Sequence, residues 1–280
     1  MSLRRQATSL VVMHAADVLQ PLILLPYAGW VLGAHQFGEY AYALSIGQFA
    51  ATFVEYGFHW TAQRTAAAAR DEPKVIAALF AEVLMTKVTL CLLVTLAGLA
   101  AAGSVLPIGR PMFLCAMMTA FGGVLFPGWL LIGLERAWQA AVATVFARLL
   151  TFAAFLWLVK SPAQVALAVA LQSGVPLISG LVSLPFVAGV GIAGIRSVTP
   201  LSVTRQLRNG WRGFLYSFVE RTSMTLPVLL VQHFGGYVAA GQYSVAEKFV
   251  SATRPFFRVL SDTFLPRVAF YARHDPGAGL

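Results

Sequence analysis

Four basic residues stand inside long apolar stretches of this chain: Lys87, Arg148, Arg221 and Lys248. Asp17, Glu82, Glu220 and Glu247 occupy similar positions. A charge near the middle of a bilayer costs at least about 3 kcal/mol on insertion scales, so its presence needs a reason. Two reasons are open. The groups pair with one another across a helix bundle, or they line a wet cavity. In a cavity, guanidinium and ammonium groups replace the lost hydration of an anion, Arg with two-pronged geometry and Lys as a point charge. Carboxylates there take up protons or a sodium ion. Glu220 with Arg221, and Glu247 with Lys248, are sequence neighbours whose side chains leave a helix about 100° apart. Each is therefore expected to reach other helices or water rather than its neighbour. Arg254 and Arg258, one turn apart, are expected to snorkel to the interface.

The elements that must carry these charges are membrane helices. The chain has 280 residues, 58% hydrophobic and 11% charged, with a mean hydropathy of +0.74. Soluble domains carry roughly twice that share of charge. Apolar stretches that exceed the roughly 20 residues needed to cross a bilayer lie near residues 7–32, 37–60, 75–102, 112–134, 138–159, 162–190, 213–234 and 237–260. Arg4 and Arg5 precede the first without a small-residue cleavage site, so it reads as a retained span. Residues 61–74 form a polar link expected to continue as a surface helix, given the alanine run 66–69. Cys91 and Cys115 lie inside apolar spans and read as small buried hydrophobes. His14 reads as a packed or hydrogen-bonded helix residue, and His35, His59 and His233 sit at span ends. No metal, catalytic or cofactor motif is found.

The basic residues outside the spans fix a topology. Arg4, Arg5, Arg64, Arg70, Lys74, Arg136, Arg196, Arg205, Arg208, Arg212, Arg267 and Arg273 fall on one side, against Arg110 and Lys160 on the other. By the positive-inside rule both termini are expected in the cytoplasm. The net charge of +9 is then explained by short loops, which removes nucleic acid as a partner.

A repeat sets the domain plan. Gly33, Gly38, Tyr40 and Ala43 recur as Gly236, Gly241, Tyr243 and Ala246, 203 residues later. Leu25-Pro26 and Leu226-Pro227 precede the two copies. Both copies open an apolar run, so their glycines are expected to mark the same tight turn between two membrane helices. Six spans separate the copies, which makes the repeat parallel, about an axis along the membrane normal. The expected fold is all-α and polytopic, with about eight membrane helices. Residues 1–190 form a complete six-helix lobe, 191–212 a basic cytoplasmic linker, and 213–280 the first two helices and tail of a second lobe.

Four segments carry a resemblance over nearly the whole chain. They are Pro26-Tyr27 with Gly33 and Phe37-Gly38-Glu39-Tyr40; Glu55-Tyr56-Gly57-Phe58 with Arg64; Pro127-Gly128-Trp129 through Gly133 and Glu135, with Arg148, Lys160, Ser161 and Pro162; and Gly210-Trp211 with Phe214, then Gly241 through Lys248. In these segments the chain resembles the Wzx-type oligosaccharide flippases of the multidrug/oligosaccharidyl-lipid/polysaccharide exporter superfamily. It departs from them at Ile132, where the family usually has Gln, and in supplying one lobe and only the opening of the second. Three readings follow from that shortfall: a fragment, a chain completed by a second chain or a dimer partner, or a protein inactive alone.

The resemblance implies a transporter in the bacterial inner membrane and no enzyme. It would move a polyprenyl-pyrophosphate-linked oligosaccharide to the outer leaflet for lipopolysaccharide or O-antigen synthesis. Its partners would be that lipid-linked oligosaccharide and membrane lipids. Arg148, Lys248, Arg221 and Lys87 would bind the pyrophosphate, and Asp17, Glu82 and Glu220 would carry the coupling ion. The competing readings are a cation-coupled drug exporter of the same superfamily and a truncated, non-transporting membrane protein. A membrane enzyme such as a glycan polymerase is disfavoured, because no external loop holds paired carboxylates or a His/Asp set.

Overall fold

The computed structural model describes the backbone of residues 3–190 and 198–274, and side chains from Gln6 to Thr253 apart from Ala7 and Ala252. The side chains of Arg4, Arg5, Arg196, Arg254, Arg258, Arg267 and Arg273 lie outside the described residues. The described residues are mainly helical: α1 Leu3–Glu55, α2 Phe58–Ala68, α3 Pro73–Ala101, α4 Arg110–Leu125, α5 Gly128–Gly133, α6 Ala137–Leu158, α7 Val165–Ser173, α8 Val175–Val187 and α9 Pro200–His274. Short 3-10 turns at Pro162–Gln164 and Ala188–Val190 flank α7 and α8. No strand occurs among the described residues, only an isolated bridge between Ala102 and Leu106.

Five helices among the described residues are long and apolar enough to cross a bilayer: Thr8–Ala68, Pro73–Ala101, Arg110–Gly133, Ala137–Leu158 and Pro162–Val190. The protein is thus an all-α, multi-pass membrane protein. The expected count of about eight is not reached by this measure. The 61 residues of the first span run through α1, broken at Gly33, and on past the turn at Tyr56-Gly57 through α2, and α9, with its Glu and Arg residues, is not among the five.

Two breaks come from the repeat. Gly33 has φ 73° and ψ 169°, and Gly236 has φ 76° and ψ −176°. That region is open essentially to glycine alone, so the same unusual turn ends a helical segment in each copy. The second glycines of the copies meet. A Cβ on Gly241 would stand 3.1 Å from the Gly38 Cα, and one on Gly38 would collide with the Tyr237 carbonyl. α1 and α9 therefore cross backbone to backbone at the two copies. Tyr237 locks the crossing: its ring meets His35 and Tyr42 edge-on at 5.3 and 5.8 Å, and its hydroxyl donates to the Pro107 carbonyl.

Other expectations are corrected. Residues 191–212 were expected as a loop, yet α9 begins at Pro200; residues 191–197 lie outside the described residues. The polar side chains of 200–212 find partners that a loop reading overlooks: Gln206 donates to Glu82 at 2.6 Å, and Arg205 stands 3.8 Å from the same carboxylate. The span expected at 112–134 is present as Arg110–Gly133 but is broken inside, into α4 and α5. Pro127 has no N–H and pushes Phe126 out of the helical region to φ −79°, ψ 108°. The span at 162–190 is also divided, at Gly174, with Pro176 opening α8. Of the link expected as a helix over residues 61–74, the part up to Ala68 is helical, in α2, which buries Phe58, Ala62 and Ala66 on one face, and Pro73 already opens α3.

The core sits between α1, α4 and α6, where Leu24, Leu32, Val54, Phe113, Met117 and Phe155 are fully buried. Leu92, Leu93 and Leu96 on α3 and Leu149, Leu150 and Trp157 on α6 are exposed. An apolar exterior around a packed interior is what hydrocarbon as solvent requires.

Candidate functional site

A cavity of about 300 Å³ lies where α1, α6, the α7–α8 junction and α9 converge. Asp17 on α1 and Arg148 on α6 face it, as do Glu247 and Lys248 on α9. Pro21 and Pro26 interrupt the hydrogen bonding of α1 beside it. The Tyr27 hydroxyl just beyond them donates to the carbonyls of Val159 at 3.0 Å and Leu156 at 3.2 Å, fixing α1 to the end of α6.

Arg148 is fully engaged on one side. Its Nη2 and Nε reach Asp17 Oδ1 at 2.7 and 2.8 Å, and its Nη1 donates to Gln20 Oε1 at 3.0 Å. Gln20 and Gln172 exchange reciprocal amide bonds at 3.1 and 3.2 Å. The Arg148 side chain remains 17% exposed and that of Asp17 40%. The pair is therefore an ion pair on the cavity wall, so pairing and cavity lining coincide at these two residues.

Glu247 and Lys248 pair with each other at 3.4 Å. This corrects the expectation that helical neighbours would look elsewhere. The Lys stem is long enough to bend back across about 100° of helix surface, and the cavity gives both heads a common polar side. The Ser251 hydroxyl also donates to Glu247. Asp17, Arg148, Glu247 and Lys248 together carry no net charge.

The remaining candidates lie elsewhere. Lys87 is only 2% exposed and is held by Glu55 at 3.1 Å and the Gly123 carbonyl at 2.8 Å, tying α3 to the end of α1 and to α4. Glu82 anchors the first turns of α9 through Gln206 and Arg205. Glu220 is exposed, and Arg221 is half-buried with no ion pair among the described residues. None of these four lines the cavity. Among the described residues no group of three His, Cys, Asp or Glu stands close enough to hold a metal. The sequence reading passed over the Gln20–Gln172 pair as ligands of the site. An amide in the middle of an apolar span was the signal that would have found Gln172.

Comparison with known proteins gives the family. A candidate O-antigen transporter of Escherichia coli strain K12 is 25% identical over 272 residues, covering 96% of this chain and 65% of the relative. A second, from Shigella dysenteriae, is 24% identical over 273 residues, covering 95% of this chain and 67% of the relative. The chain thus spans about two thirds of the length of both relatives. No solved structure matches it significantly. The sequence profile of the polysaccharide biosynthesis proteins matches residues 3–269, nearly the whole chain, and the chain belongs to that family.

Proposed function

We propose that the chain carries the first lobe and the opening of the second lobe of a flippase. The flippase moves a polyprenyl-pyrophosphate-linked oligosaccharide across the bacterial cytoplasmic membrane. The observation that carries this reading is the charge-balanced cavity between the lobes, with Arg148 held by Asp17. Family membership and the similarity to two O-antigen transporters support it. In this reading α1 and α9 each cross twice, turning at Gly33 and Gly236. Eight crossings then put both termini in the cytoplasm, in line with the basic residues.

A pyrophosphate entering the cavity competes with Asp17 for the Arg148 guanidinium. Neutralising Asp17, by a proton or a bound sodium ion, removes the competitor and frees the two-pronged donor face. Anion binding and cation uptake are then linked at one pair of side chains. Lys248, paired with Glu247 on the other lobe, supplies the second positive charge. Because these groups come from both lobes, rocking one lobe against the other changes their spacing, which is the requirement of alternating access. Lys87, Glu82, Glu220 and Arg221 have no part in this step; they hold helices together or face away.

The test is complementation in a strain lacking its own flippase. Arg148→Ala should abolish surface glycan while membrane abundance stays near normal, and Arg148→Lys should restore part of it, since charge is kept and the fork lost. Loss of the protein from the membrane in both variants would contradict the reading and leave a structural pair.

A further inference from the structure

A second, more open space of about 820 Å³ lies where α2, the turn after α5 and the first turns of α9 meet. It shares no lining residue with the cavity around Arg148. Its walls come from both lobes, and they are held close: a Cβ on Gly213 would stand 3.2 Å from the Gly57 carbonyl oxygen.

Here the charges do not cancel. Arg64, Arg70 and Arg212 face a single acid, Glu135. Arg70 is taken up by Glu135 at 3.0 Å and by Asp71 at 3.7 Å. Arg64 and Arg212 are exposed and make no ion pair among the described residues. Two uncommitted guanidinium forks on one groove, one from each lobe, are the donors a phosphate-bearing anion needs.

The aromatic rings indicate which anion. Trp60, which lines the groove, is 47% exposed and meets the exposed Tyr216 edge-on at 5.7 Å. Trp211, beside Arg212 in sequence, is exposed as well. Exposed Trp and Tyr at the ends of apolar helices mark the headgroup level of a bilayer. A groove at that depth opens on lipid headgroups. We propose that it binds the phosphodiester headgroup of an anionic phospholipid, with Arg64 and Arg212 closing on it from the two lobes. Basic pockets between membrane helices recognise acidic headgroups in this way. A bound headgroup ties α2 to α9 across the lobe boundary, on arginines that the topology rule alone treats as loop charges.

The inference requires no translocation, so it is tested apart from the transport reading. The detergent-solubilised chain is titrated with phosphatidylglycerol, and bound lipid is counted by native mass spectrometry. Arg64→Gln and Arg212→Gln should each weaken binding about fivefold and the pair about thirtyfold, from about one surface-arginine contribution apiece. Arg64→Lys should bind more tightly than Arg64→Gln and more weakly than the parent, since charge is kept and the fork lost. Arg208→Gln, an exposed basic residue outside the groove, should change nothing. Phosphatidylcholine should show no saturable binding, and inorganic phosphate should not displace the lipid. The proposal is overturned if the double variant binds phosphatidylglycerol like the parent, if phosphatidylcholine binds equally, or if inorganic phosphate competes as an equal.

Discussion

Replacing Lys87 with Met should destabilise the protein strongly, and replacing Glu55 with Gln in the same chain should restore most of the loss. Lys87 is 2% exposed, Glu55 is 21% exposed, and the two are 3.1 Å apart. Removing one partner of a buried pair leaves the other charge uncompensated, at about 3–5 kcal/mol. Glu55 keeps some access to solvent, so the lower end, about 3 kcal/mol, applies. A chain of this size shifts by about 2 °C per kcal/mol, which puts the apparent Tm of Lys87→Met about 6 °C below the parent. The double variant replaces an ion pair by two neutral side chains of similar volume, and such swaps are close to neutral. It should melt within about 2 °C of the parent. Thermal unfolding in detergent, followed by tryptophan fluorescence on all four members of the cycle, measures the coupling. A double variant as unstable as Lys87→Met would refute the pairing argument. It would assign the loss to the hydrogen bond from Lys87 to the Gly123 carbonyl.

Gly33→Ala and Gly236→Ala should each cost about 1–3 kcal/mol, because both glycines hold a backbone region closed to other residues; equal cost at an ordinary helical glycine such as Gly29 would contradict this. Gly38→Leu should separate the lobes where Gly38 meets Tyr237 and Gly241, lowering the Tm and raising the accessibility of a probe at His35; an unchanged probe rate would count against the crossing. A reporter fused after Leu280 should read cytoplasmic and one between Gly103 and Pro111 external, and the reverse at either site would overturn the eight-crossing topology.

The outline of the fold was legible because its punctuation is local. Gly33 and Gly236 announce their turns through a repeated pattern, and long apolar runs announce helices without reference to anything distant. Where the reading failed, the missing information lay on another helix. Residues 200–212 look like a loop until Glu82, more than a hundred residues earlier, is brought beside Gln206 and Arg205. Pro127 was seen, but its power to divide a span depends on whether α4 and α5 find separate packing partners. For the site, the sequence named both Asp17 and Arg148 from the cost of a charge in lipid. It could not join them across 131 positions. The same cost flagged Lys87, whose partner Glu55 makes it a tie between helices rather than a ligand of the cavity.

The most direct test of the cavity mechanism is the affinity for undecaprenyl pyrophosphate of the parent chain, Asp17→Asn and Arg148→Gln, compared in the same detergent. If Asp17 competes for the guanidinium, Asp17→Asn frees Arg148 and binds the pyrophosphate more tightly than the parent, while Arg148→Gln binds it more weakly. If the pair only holds α1 to α6, both variants lose affinity together, and that result would contradict the account.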